Sequence, residues 1–122
     1  MFVAVGRLSF HLAGNTSLKG KRSIVRKMVD RAKSKFNVSV AEVGSNDEHR
    51  KAVIGVAVIG NSASHVDGML AKICDFIIGM GMAELISHQT EVIPMGTDFG
   101  EDRYFSAMDF SVDDFGVEDN DG

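Results

Sequence analysis

The chain has 122 residues, 44% apolar and 25% charged, with a formal net charge of −4. That length suits one domain with a single core, and the composition is ordinary for a globular protein. No apolar run approaches the roughly 18 residues a membrane helix needs, and the single cysteine, Cys74, excludes an internal disulfide.

The net charge hides a split. Residues 1–95 hold twelve Lys or Arg and eight Asp or Glu, giving +4, whereas residues 96–122 hold one Arg and nine acids, giving −8. A mildly basic domain at 1–95 followed by an acidic tail at 96–122 is the expected organisation. The start, MFVAVGRLSF, has no basic stretch ahead of an apolar one and alternates like a strand, so no signal peptide is expected. With the lone cysteine, this points to a bacterial-type cytoplasm.

Phe2 to Leu12 alternates. Phe2, Ala4, Leu8, Phe10 and Leu12 share one face of a half-buried strand, and Val3, Val5, Arg7, Ser9 and His11 share the other. AGNTS supplies turn residues, and Thr16 or Ser17 can cap the next helix. In that helix Leu18, Ile24, Val25, Met28, Val29, Ala32 and Phe36 fall within an arc of roughly 140°. Asn37 to Val43 is rich in β-branched residues and reads as a second strand, followed by the polar hairpin loop GSNDEH. Arg50 to Ile59 reads as a longer strand, apolar on both faces. Gly60-Asn61-Ser62 breaks it and leads into a second helix, with Val66, Met69, Leu70, Ile73, Phe76, Ile77 and Met80 as its stripe. Gly79 and Gly81 end that helix. Residues 84–93 make a fourth strand, closed by Pro94.

The order β-α-β-β-α-β predicts a ferredoxin-like α+β fold: a four-stranded antiparallel sheet with two helices on one face. In the tail, Phe99, Tyr104, Phe105, Met108, Phe110, Val112, Phe115 and Val117 alternate with acids. This composition suits a flexible segment, or one that docks on a basic or apolar surface.

Four stretches carry a family resemblance. SLKGKRSIVRKMVDR at 17–31, KFNVSVAEVG at 35–44, IGVAVIGNSASHVDGML at 54–70 and ELISHQTEVI at 84–93 resemble the YlxP-like proteins, a small bacterial family of unknown function. The resemblance covers about residues 1–95 and implies the same ferredoxin-like fold. Members are often encoded near ribosome-maturation and translation-initiation factors, which implies a ribosome-linked role. The family has no established catalytic residues, so the resemblance assigns none. Gly20 stands where an acidic residue is usual, and the tail exceeds the typical family length.

The first helix carries the chain's only concentrated charge in 1–95. Residues 18–36 hold eight Lys or Arg and one acid, Asp30. Lys19, Arg22, Arg26 and Lys33 lie along one flank of the apolar stripe, and Lys27, Arg31 and Lys35 along the other. Lys19, Lys21 and Arg22 also load the helix start with cations, where unsatisfied N–H groups favour anions. RNA phosphate is the natural ligand. The phosphate-binding set is therefore Lys19, Lys21, Arg22, Arg26, Lys27, Arg31 and Lys33, with structured RNA or the ribosome as partner. The competing reading is a solvated flank, partly neutralised by the tail. The uncovered sheet face lacks the aromatics on which an RNA-recognition motif stacks bases, so contact through the helix and phosphates is expected.

That sheet face is oddly apolar. Val3, Val5, Val53 and Ala57 form the expected homodimer interface, with the tail as the rival cover. The second functional reading is thus a homodimeric regulatory or ligand-sensing module.

Catalysis is not expected. Gly14 to Ser23 follows a strand and opens a helix, but a P-loop needs Ser or Thr after its Lys, and Arg22 stands there. His11, His49, His65 and His88 show no ligand spacing, so no metal or other cofactor is expected. Cys74 reads as packing. No nucleophile or acid–base pair stands out. Glu42 alternates in register with Val38 and Val40. It is expected either in solvent at the strand end or paired with Arg7 or Arg50.

Overall fold

The computed structural model describes residues 1–96. The elements are β1 (Phe2–His11), α1 (Leu18–Lys35), β2 (Ser39–Gly44), β3 (Lys51–Gly60), α2 (Ala63–Gly79) and β4 (Glu84–Pro94). They follow the order read from the sequence. Every adjacent strand pair is antiparallel and the sheet order is β2-β3-β1-β4. Two interleaved crossovers result: α1 carries the chain from central β1 to edge β2, and α2 carries it from central β3 to edge β4. This is the ferredoxin-like plan.

Pleat alternation sorts the side chains. Ala4, Leu8 and Phe10 of β1, Ala52, Ile54, Val56 and Val58 of β3, and Val40 of β2 are buried beneath the helices. The helices supply Val25, Met28 and Ala32 from α1, and Val66, Leu70, Ile73 and Ile77 from α2. Each large side chain so buried contributes roughly 1.5–3 kcal/mol before entropy is subtracted. α2 lies over β1, β3 and β4, and α1 over β2. α2 packs closely over Gly6, where a Cβ would rest in ordinary contact with Cys74 Sγ and Leu70 Cδ1 at 3.5 Å. Phe36 and Phe76 meet edge to face at 5.5 Å and join the ends of the helices.

The opposite face of the sheet carries no layer among the described residues. Val3, Val5, Arg7, Ser9 and His11 lie there, facing Ile59, Ala57, Gly55, Val53 and Lys51 of β3 in register. Two irregularities shape it. Val43 is an extra residue between the pairs Glu42↔Ile54 and Gly44↔Val53, and Ile86 is an extra residue between Ser9↔Ser87 and Phe10↔Leu85. The Val43 side chain covers Gly55, where a Cβ would lie 2.7 Å from Val43 Cγ1. Such bulges bend edge strands and end their pairing. Residues 97–122 lie outside the described residues, and with them the expectation of a flexible or docked tail.

Candidate nucleic-acid interface

Ser17 begins the site. Its extended backbone and its Oγ, which accepts from Gly20 N at 3.0 Å, cap α1. No acid occupies the first turn. The helix that follows is about 27 Å long at 1.5 Å per residue. Lys19, Arg22, Arg26, Lys27, Arg31, Lys33 and Lys35 are all exposed on it. Lys35 sits 5.2 Å above the Phe76 ring and 5.9 Å from the Phe36 ring, which places its flank on the α2 side. The flank of Lys19, Arg22, Arg26 and Lys33 therefore faces away from α2, along the β2 side of the molecule. It runs about 21 Å from Lys19 to Lys33. Among the described residues none of these cations takes part in an ion pair.

Lys21 requires a correction. The sequence reading places it among the phosphate contacts, but its side chain is 1% exposed. Its ammonium donates to the carbonyl oxygens of Ser45 (2.6 Å), Lys51 (3.1 Å) and Asn46 (3.3 Å). Glu42 Oε2 lies 2.7 Å from the same nitrogen. The three ammonium protons have three carbonyl partners, and Oε2, which has no aligned hydrogen bond, is held by charge. The physical reason is helical phase: Lys21, Val25, Met28 and Ala32 form one row on the buried side. Lys21 is thus a structural clamp on the β2–β3 hairpin. The same contact answers the Glu42 question. It pairs with neither Arg7, whose Nη2 donates to Gln89 Oε1 at 2.7 Å, nor Arg50, and it is only 17% exposed.

Asn15 completes the clamp from the β1–α1 loop. Its Nδ2 donates to the Ser17 carbonyl and to the His49 carbonyl across the hairpin. A Cβ on Gly20 would collide with Asn15 Oδ1. That is why the helix tolerates glycine in its first turn.

Val3, Val5, Val53 and Ala57 all lie on the sheet face opposite the helices and are half-buried. Cys74 is buried against the sheet; burial pushes its thiol pKa up, and the Asp75 charge adds to that. His65 lies in the first turn of α2 and His49 in the hairpin loop. Among the described residues no group of three His, Cys, Asp or Glu could hold a metal ion, and no helix is long and apolar enough to cross a membrane.

The sequence from residue 3 to residue 90 matches the family described as "Protein of unknown function (DUF503)". The chain belongs to the DUF503 family. It is also similar to the "Uncharacterized protein YlxP" of Bacillus subtilis (strain 168), with 31% identity over 75 residues, covering 62% of this chain and 82% of that protein. The YlxP-like resemblance read from the sequence therefore holds. Among solved structures, a putative chlorite dismutase, TA0507, aligns over 75% of this chain and 44% of its own, with a TM-score of 0.44 and 6% identity. The exposed α1 cations all fall inside the DUF503 match.

Proposed function

We propose that this DUF503 protein is a non-catalytic accessory protein that binds the phosphate backbone of structured RNA, free or in the ribosome, through the exposed flanks of α1. The observation that carries this reading is a row of cations left without ionic partners. Lys19, Arg22, Arg26 and Lys33 on one flank, with Lys27 and Arg31 on the other, are exposed, and among the described residues none forms an ion pair. Unneutralised cations at this density attract polyanions over several ångströms. The first turn of α1 holds no acid, so the positive end of the helix dipole adds to the same potential. Base readout plays little part, because α1 carries no aromatic before Phe36 and its cations sit on flexible stems. Lys21 has no part in this contact.

Binding of the full chain to purified ribosomal subunits and to a structured RNA, measured across a salt series, tests the reading. Wild type should bind with a steep salt dependence, and the Arg22→Glu/Arg26→Glu/Lys33→Glu variant should lose most of both affinity and slope. Equal slopes would remove the proposal.

A further inference from the structure

The sheet face opposite the helices, which no described residue covers, is large enough to meet a second copy of the chain. The face is apolar along one end and along the β2–β3 side. Ile59 is 68% exposed, Val43 57% and Ile93 39%, with Val3 and Val5 between them on the same face. Monomeric proteins rarely leave such a contiguous patch open. Ten-residue central strands span about 33 Å, and four strands about 4.8 Å apart give a face of roughly 600 Å². Two such faces together reach the ~1,200 Å² at which stable interfaces begin.

The relief is uneven. Ile59 stands proud at the end of β3, while the ground beside it is low: Ala57 is the next residue on that face, and Ser39 and Ala41 lie opposite Ala57 and Gly55 in register.

The charges agree. The face carries Arg7 and Lys51 against Glu84 and Glu91, so it is close to neutral and does not repel its own copy. Neutrality also argues against the acidic segment as its cover. Residues 96–122 carry −8, and most of the exposed cations that would draw them lie on α1, on the other side of the sheet.

We propose that the protein forms a homodimer by stacking these two sheet faces, with Ile59 and Ala57 inside the contact and the helices outward. Sheet-on-sheet packing at about 10 Å separation needs no change in either sheet. The dimer stands apart from RNA binding, and its test contains no nucleic acid.

Sedimentation velocity of the full chain over a concentration series reads the association state of wild type, Ile59→Glu and Ala57→Arg. Wild type should reach the dimer mass in the micromolar range. Each variant should raise the dissociation constant at least about tenfold, because it buries an unpaired charge. Thermal unfolding at a concentration where wild type is monomeric should be unchanged, since both positions lie outside the core. Labelling of Ile59→Cys in a Cys74→Ala background provides a second reading: protection from a thiol reagent should grow with protein concentration. A wild-type monomer at every concentration would overturn the proposal, whether the Ile59→Cys thiol is open or is shielded by the chain's own acidic segment. A dimer indifferent to both substitutions would overturn it as well.

Discussion

Lys21 Nζ lies 2.7 Å from Glu42 Oε2 and within 3.3 Å of the carbonyls of Ser45, Asn46 and Lys51. One buried ammonium therefore ties the first turn of α1 to both strands of the β2–β3 hairpin and to its loop. Ser45, whose φ of +57° lies in the left-handed region that non-glycine residues seldom adopt, receives the shortest of these contacts. The clamp holds a local conformation that the sequence alone disfavours.

Removing Lys21 should be costly. Lys21→Met leaves the Glu42 carboxylate unpaired and three carbonyls without their donor, and we expect a loss of about 3–5 kcal/mol in urea unfolding. Glu42→Gln should cost less, about 1–2 kcal/mol, because the ammonium keeps its carbonyls. An apolar pair, Lys21→Met/Glu42→Leu, often neutral at an isolated buried ion pair, should remain destabilised here. A neutral Lys21→Met would show that the hairpin does not need the clamp.

Gly20 offers a sharper test of the same corner. Gly→Ala inside a helix ordinarily stabilises by about 1 kcal/mol. Gly20→Ala should not, because its methyl meets Asn15 Oδ1 and Asn15 is held by the Ser17 and His49 carbonyls. In an Asn15→Ala background the same substitution should recover its usual gain. Thermal melts of the two single variants and the double variant form the cycle, and additivity would refute the steric account.

The element order, the two faces of β1 and the apolar stripes of both helices were legible because each rests on periodicity, which sequence displays directly. The clamp was legible only in halves. Lys21 sits in the row of Val25, Met28 and Ala32, and Glu42 alternates with Val40, so each charge stood on the inward side of its own element. Joining them needed the crossover of α1 to the edge beside β2, which no local pattern encodes. Charge counting therefore placed Lys21 with its exposed neighbours. The Val43 bulge was hidden for a related reason: β3 is apolar on both faces, so alternation alone does not fix the register of β2 against it.

Cys74 gives a pH prediction. Burial first, and then the Asp75 charge, disfavour the thiolate in the folded chain, so the folded pKa lies above its ordinary value of 9.0. The folded state then holds its proton longer than the unfolded state. This contribution to stability is fully present below about pH 9 and is lost as pH rises towards the folded value. Urea midpoints followed from neutral to about pH 10 should fall more steeply for wild type than for Cys74→Ala. Parallel curves would contradict the assignment.

The exposed cations of α1 make the central claim, and the slope of log affinity against log salt tests it most directly. Each phosphate contact contributes roughly 0.7–0.9 to that slope. With a structured RNA, the Arg22→Glu/Arg26→Glu/Lys33→Glu variant should therefore lose about 2–3 units of slope. Glu42→Gln, which alters the clamp but leaves every exposed cation in place, should keep the wild-type slope. A wild-type slope no steeper than that of the triple variant would contradict phosphate binding by α1.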